Sequence, residues 1–258
     1  MKKIAIITGA SSGMGKEFVL SADKRYNLDE IWVIARREER LIKLQEEVTS
    51  KIVPLALDLT LPESLNVIST KLSVEKPDVK LLVNASGFGK MAEFINSNPV
   101  SNAGMVDLNL KALILVTQTV LPYINEGGKI IEVGSMSSFE PVPHLSVYAA
   151  TKSAVLSFSR ALAFELKPKK IKVLCVCPYW VQTEFFSRAG EKENLKKFDI
   201  LYKPEFIVSV AYKTIDKTKK NYVVPGKYAK LLRALAKILP HNFMMAVMSK
   251  MFKFEKND

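Results

Sequence analysis

Cysteine is nearly absent: the 258-residue chain holds two, Cys175 and Cys177. They lie two apart in an apolar run, where strand alternation points both to one face. That arrangement makes a poor disulfide or metal framework and reads as a pair of reduced structural thiols. Long hydrophobic runs are missing too. The apolar stretch after Met1-Lys2-Lys3 stops at Thr8-Gly9, too early for the apolar core of a signal peptide. No uncharged stretch reaches about 18 residues, so no transmembrane helix is predicted and a cytoplasmic location is expected. There is no internal repeat and no low-complexity linker. Acidic residues are scarce relative to basic ones, 26 against 38, for a net charge of +12. The excess is mostly lysine and has no arginine-aromatic stripe, so nucleic acid is not an expected partner. With 48% apolar and 25% charged residues, disordered, collagen-like and coiled-coil classes are excluded.

What is present is an alternation of short apolar segments with amphipathic ones. Strands are predicted at 3–8, 30–35, 51–58, 80–84, 129–134, 170–177 and 221–224. Most are runs of Ile, Val and Leu without strict alternation, as in a parallel sheet covered on both faces. Between them lie helical patterns, such as 40–49 with Leu41, Leu44 and Val48 on one face. The fold class is therefore α/β, a single doubly wound parallel sheet of about seven strands with helices on both faces.

The first strand runs into Thr8-Gly9-Ala10-Ser11-Ser12-Gly13-Met14-Gly15, and a helical pattern follows at once. A helix N-terminus offers free N–H groups and the positive end of the dipole to a diphosphate. Glycines there allow positive φ and close backbone approach. The spacing is not that of a Walker motif. An acidic residue at the end of the second strand would bind an adenosine ribose and repel a 2′-phosphate. Here the segment is Ala35-Arg36-Arg37. A guanidinium fork suits a phosphate, which favours NADP(H) over NAD(H). Of the two arginines, Arg37 is expected to be the more solvated.

Tyr148 and Lys152 stand four apart, on one face of a helix predicted at 147–166. An ammonium so placed stabilises a phenolate and lowers the tyrosine pKa. Ser135 ends the fifth predicted strand, where ligands gather in open α/β sheets. In this order, the glycine turn, strand-end arginine, serine and Tyr-x-x-x-Lys make the chain resemble the short-chain dehydrogenase/reductase family over at least 2–224. Asp58-Leu59-Thr60, Asn84-Ala85-Ser86-Gly87 and Asn109 match as well.

That resemblance implies a Rossmann-like fold, with 1–225 as the NADP-binding catalytic domain and 226–258 as its C-terminal extension. It also implies a homodimer or homotetramer. Asp58 and Leu59 would flank the adenine, and Asn84, Ala85 and Gly87 would line the cofactor cleft. Pro178, Val181 and Thr183 would meet the nicotinamide carboxamide. Tyr148 would protonate a carbonyl oxygen held by the Ser135 hydroxyl, as hydride arrives from NADPH. Lys152 would bind the nicotinamide ribose, and Asn109 would support a water relay through its backbone carbonyl. The sequence departs from the family pattern at Pro178-Tyr179, where Pro-Gly is usual.

The segments expected to shape a substrate pocket are apolar: Phe88 and Met91, Met136, Phe139 and His144, then Tyr179-Trp180 and Phe185-Phe186. They suit a lipophilic ketone or aldehyde. Hydroxysteroids or bile acids, and 3-oxoacyl chains or long-chain aldehydes, are the alternatives, along with a non-enzymatic NADPH-binding protein. Residues 184–203 form a long connection expected to act as a lid. Residues 226–258 carry seven Lys/Arg against two acids, with Tyr228, Leu231, Leu232, Leu235, Ile238 and Leu239 in one helical pattern. Phe243, Met244, Met245, Met248, Met251, Phe252 and Phe254 form a second one. This extension is either a docked helix pair that caps the pocket or forms a subunit interface, the favoured reading, or makes peripheral contact with an anionic membrane through 226–254.

Overall fold

The computed structural model describes residues 1–185 and 200–251. Among these, seven strands form one sheet: β1 (Lys3–Thr8), β2 (Glu30–Ala35), β3 (Lys51–Ala56), β4 (Asp78–Asn84), β5 (Lys129–Val133), β6 (Lys172–Val176) and β7 (Tyr222–Val223). Their order is β3-β2-β1-β4-β5-β6-β7, and every pairing is parallel. The Rossmann-like fold expected from the sequence is the fold observed.

Strand alternation distributes the apolar residues between two cores. Ala5, Ile7, Ile31, Val33, Leu81 and Val83 face α1 (Gly13–Arg25) and α7 (Pro204–Lys217). Ile4, Ile6, Trp32, Ile34, Leu82 and Ile130 face α3 (Pro62–Glu75), α5 (Leu113–Val120) and α6 (Ser146–Glu165). Both faces are dry, which is why the strands read as continuous apolar runs. Each isoleucine buried this fully contributes about 1.5–3 kcal/mol of transfer free energy. The chain winds outward from β1 in both directions, so the carboxyl ends of β1 and β4 part at a switch point, where a crevice opens.

Two departures from the sequence reading have local causes. The helix expected at 40–49 is shorter: α2 spans Glu38–Ile42 and tightens into a 3₁₀ turn at Lys43–Glu46. The Asp23 carboxylate accepts from the N–H groups of Thr49 and Ser50, and Gln45 accepts from the Ile52 N–H. These bonds offer the backbone an alternative to further helix. The strand expected at 170–177 starts at Lys172, because Lys170 adopts φ +55°.

Helix α4 (Pro99–Val106) continues through a π-helical turn at Asp107–Ala112 into α5. The run Pro99–Tyr123 is long and apolar enough to cross a membrane by length and composition alone. It carries Asp107 and Lys111, however, and its buried face packs on α3, α6 and β4. At the C-terminus, α8 (Lys227–Ile238) and α9 (His241–Met251) form the two helices expected there. Ala229, Ala236 and Met244 are buried, and Met248 packs against Val142 and Leu145, so one side of this extension docks on the domain. Most of the expected lid, with Phe186, and the terminal Phe252 and Phe254 lie outside the described residues.

Candidate active site

The crevice at the switch point is a cleft of about 430 Å³. Its first wall is the glycine turn. Gly9 and Gly13 take φ +69° and +54°, in the left-handed region. A Cβ on Gly9 would sit 2.8 Å from the Ala85 backbone, and one on Gly15 would sit 2.1 Å from the Gly9 carbonyl oxygen. Only glycine lets β1, β4 and α1 converge this closely. Thr8 Oγ1 fastens the convergence by accepting from the N–H groups of Ala85 and Ser86 at 3.1 and 3.2 Å. Helix α1 has no side-chain cap at Ser12 and no acidic residue in its first turn. Its N–H groups and dipole thus remain uncompensated and suited to an anion. Ser11, Ser12 and Met14 complete this wall, and Thr183 stands opposite Gly13.

Both arginines line the cleft, but their expected order of solvation is reversed. The Arg36 side chain is 68% exposed and reaches Asp58 at 3.6 Å, whereas Arg37 is 33% exposed. Arg37 Nη2 donates to the Ser11 and Ser12 hydroxyls, both at 3.0 Å. Its Nη1 donates to Glu184 at 2.9 Å. The Glu184 carboxyl is held down at about 2, first by Arg40 and then by Arg37. Burial pushes the Asp58 carboxyl up, but the Thr60 hydrogen bonds and Arg36 outweigh it and hold the group below its ordinary range. Asp58 and buried Leu59 line the same end.

The floor lies at the ends of β4, β5 and α6. Ser135 follows β5 and caps the short turn Met136–Ser138. Its Oγ accepts from the Ser137 N–H and hydroxyl, at 3.2 and 2.8 Å, and lies close enough to the Tyr148 phenol to lower its pKa. Lys152, one turn further along α6, is 4% exposed and donates to the Val133 carbonyl at 2.7 Å. Burial governs the acidities here. It pushes the Tyr148 phenol up to about 12, against the lowering influence of the Ser135 hydroxyl, and pushes Lys152 down to about 8. The expected lowering of Tyr148 by Lys152 is therefore not what the balance gives, since the ammonium sits 5.8 Å from the centroid of the Tyr148 ring and is bound to a carbonyl. A phenol of this kind keeps its proton through neutral pH.

Five of the described sequence-predicted residues do not line the cleft. Asn84 is buried behind it, its amide donating to Thr117 Oγ1 at 2.9 Å and to Glu132 at 3.3 Å. Asn109 sits in the π-helical turn. Its side chain accepts from the Phe88 N–H at 3.0 Å and donates to the Phe88 carbonyl at 2.9 Å, clamping the loop that carries Phe88. His144, at φ +63°, gives its carbonyl to the Ala92 N–H, while its neighbours Val142 and Leu145 reach the cleft. Of the remaining pocket candidates, Met91 packs on the Val142–Leu145–Ala149 cluster. Phe139 packs against Tyr222 beneath Arg233.

Ala85, Gly87, Phe88, Met136, Pro178, Tyr179, Trp180, Val181 and Phe185 do line the cleft. A Cβ on Gly87 would come within 3.0 Å of Asn109 Oδ1 and 3.5 Å of Lys152 Nζ. The Phe185 ring lies 5.5 Å from that of Tyr148. The sequence reading missed Val142 and Leu145, which close this end together with Met248 of the C-terminal extension, and Glu184 beside Arg37. It also missed Glu132, a fully buried carboxyl on β5 pushed up to about 8 by its burial. A glutamate inside an apolar strand was the signal for it.

These features have counterparts in known proteins. The family model described as short chain dehydrogenase matches residues 3–194. The chain is similar to the very-long-chain 3-oxoacyl-CoA reductase of Pyrenophora tritici-repentis, 34% identical over 190 residues. That match covers 69% of this chain, which spans about half of the relative's length, 55%. It is also similar to the NADP-dependent 3-hydroxy acid dehydrogenase of Schizosaccharomyces pombe, 32% identical over 78% of this chain and 80% of the relative. Among solved structures, a short-chain dehydrogenase from Sphingobium yanoikuyae in complex with NADPH superposes over 99% of both chains, with a TM-score of 0.79 and 26% identity.

Proposed function

Because this chain belongs to the short-chain dehydrogenase/reductase family, oxidoreductases that interconvert carbonyl and alcohol groups with a nicotinamide cofactor, we propose that it is an NADPH-dependent reductase of a lipophilic ketone or aldehyde. The observation that carries the cofactor choice is Arg37, whose fork lies across the Ser11 and Ser12 hydroxyls at the lip of the glycine turn. Arg36 stands beside it, and no acidic residue ends β2. This is where an adenosine ribose meets an open α/β sheet, and guanidinium forks suit a phosphate there. The glycine cradle and the uncapped start of α1 fit a dinucleotide diphosphate. When bound, the cofactor supplies the hydride.

The protein's own groups supply the rest. Ser135 and Tyr148 both face the cleft, so a carbonyl oxygen between them accepts from both hydroxyls, and Tyr148 delivers its proton as charge grows there. Lys152 would hold the nicotinamide ribose. Asn109 fixes the Phe88 loop by its side chain, leaving its backbone carbonyl for a water relay. Met136, Val142, Leu145, Trp180 and Met248 supply an apolar far end, which supports a lipophilic substrate. The names of the two relatives, a 3-oxoacyl-CoA reductase and a 3-hydroxy acid dehydrogenase, support 3-oxoacyl chains as the first class to try.

An NADPH-oxidation screen over acyl-chain ketones, steroid ketones and long-chain aldehydes, with NADH in parallel, tests the proposal. Faster turnover with NADH overturns the cofactor assignment. Turnover of small polar ketones in preference to every lipophilic one overturns the substrate assignment.

A further inference from the structure

Helices α8 and α9 carry an outer face that nothing among the described residues covers. On α8, Ala229 and Ala236 turn inward, while Leu231, Leu235 and Ile238 are 57%, 37% and 78% exposed. At helical spacing these three lie within about 60° of one another, and exposed Lys227, Lys230 and Lys237 follow along one flank. Phe243 and Val247, one turn apart on α9, are exposed as well. Residues 226–251 contain no aspartate or glutamate. An apolar stripe edged by lysines, on a helix whose opposite side is docked, has the make-up of an interfacial element.

We propose that this face docks on an anionic lipid surface. Leu231, Leu235 and Ile238 enter the headgroup layer, and Lys227, Lys230 and Lys237 lie over acidic headgroups. Charge complementarity selects this occupant over a second copy of the chain. A symmetric pairing would set the same lysines against each other, with no carboxylate in the segment to receive them. The docked side of the same helices forms part of the cleft: Met248 lines it, and the Tyr228 ring lies 5.5 Å from that of Tyr179. A bilayer held here adjoins the apolar end of the cleft, a consequence that rests on the lipophilic reading above. The docking itself does not, because it is measured without turnover.

Flotation of the full-length protein with phosphatidylcholine vesicles, and with phosphatidylcholine–phosphatidylglycerol vesicles at low and high salt, provides the test. The protein should float with the mixed vesicles and be released by salt. The triple variant Lys227→Gln/Lys230→Gln/Lys237→Gln should lower partitioning roughly 100-fold. Leu231→Gln/Ile238→Gln should lower it roughly tenfold or more. Both variants alter exposed positions, and unchanged thermal melts will show that they fold. Failure of the parent protein to float with mixed vesicles overturns the proposal, as does binding that both variants retain. A solution dimer that Leu231→Gln/Ile238→Gln splits into monomers gives the face to a second copy and also overturns it.

Discussion

At one end of the cleft the chain presents backbone; at the other it presents side chains. Residues 9–15 approach β4 and their own helix so closely that a single Cβ at Gly9 or Gly15 meets main-chain atoms. Val142, Leu145, Trp180, Phe185 and Met248 form the opposite end with interchangeable apolar groups. A wall made of main chain can be altered only by moving strands, so it fixes the class of ligand. A wall made of side chains can be recut without disturbing the sheet, so it sets which carbonyl compound is taken. Ser135, Tyr148 and Lys152 stand between the two, where the ligands of each end must meet.

The largest effect is expected at that junction. Tyr148→Phe should lower kcat by roughly 10³-fold, while NADPH affinity, read by fluorescence titration, stays within about twofold. A variant that kept most of its turnover would remove the proton donor from the scheme. Gly15→Ala probes the backbone end. Its methyl would face the Gly9 carbonyl at 2.1 Å, so NADPH binding should weaken roughly 100-fold. Normal cofactor affinity in that variant would refute the claim that this end is inflexible. Met248→Ala probes the other end and should raise KM for a lipophilic ketone roughly threefold to tenfold with cofactor affinity untouched. An effect on NADPH binding instead would show that the ends are not separable.

The smallest effect concerns Glu132, beneath the floor. Burial, first, pushes this carboxyl up to about 8 from its ordinary 4.5, against the hydrogen bonds of Thr117 and Asn84 and the charge of Lys152. Between those pH values the folded protein keeps a proton that the unfolded chain has released. Its contribution to stability is therefore complete below about 4.5 and is lost as pH rises through 8. Glu132→Gln cannot titrate, so the Tm of the variant minus that of the parent should grow by roughly 10 °C from pH 5 to pH 8. Parallel curves would mean that the carboxyl is ionised in the folded protein.

The legible parts of the site were those encoded by short spacings. The turn after β1 needs glycines at fixed offsets, and Tyr148 and Lys152 need one helical turn, so both could be read from the order of residues alone. The strands of β1 and β2 were legible to the residue because buried parallel strands carry unbroken apolar runs. The arginines were misordered because side-chain direction past a strand end depends on the loop that follows, and that loop aims Arg37 at Ser11 and Ser12. Asn84 and Asn109 resemble lining residues in sequence, yet their amides are committed to Thr117, Glu132 and the Phe88 backbone. Met248 joins Val142 and Leu145 across about a hundred residues, and no local pattern carries such a contact.

The two thiols have a practical consequence. Cys175 and Cys177 are the only cysteines in the chain, both fully buried, on β6 and just past its carboxyl end, with their sulfurs 3.7 Å apart. Burial also pushes the Cys177 thiol up, which keeps it in its unreactive protonated form. A thiol reagent added to the native protein can therefore label it only when the sheet opens at β6. The labelling rate becomes a clock for that opening, built into the unmodified chain. A cofactor held across the β1–β4 crevice should slow the clock in proportion to its occupancy, so the chain carries its own assay for cofactor binding.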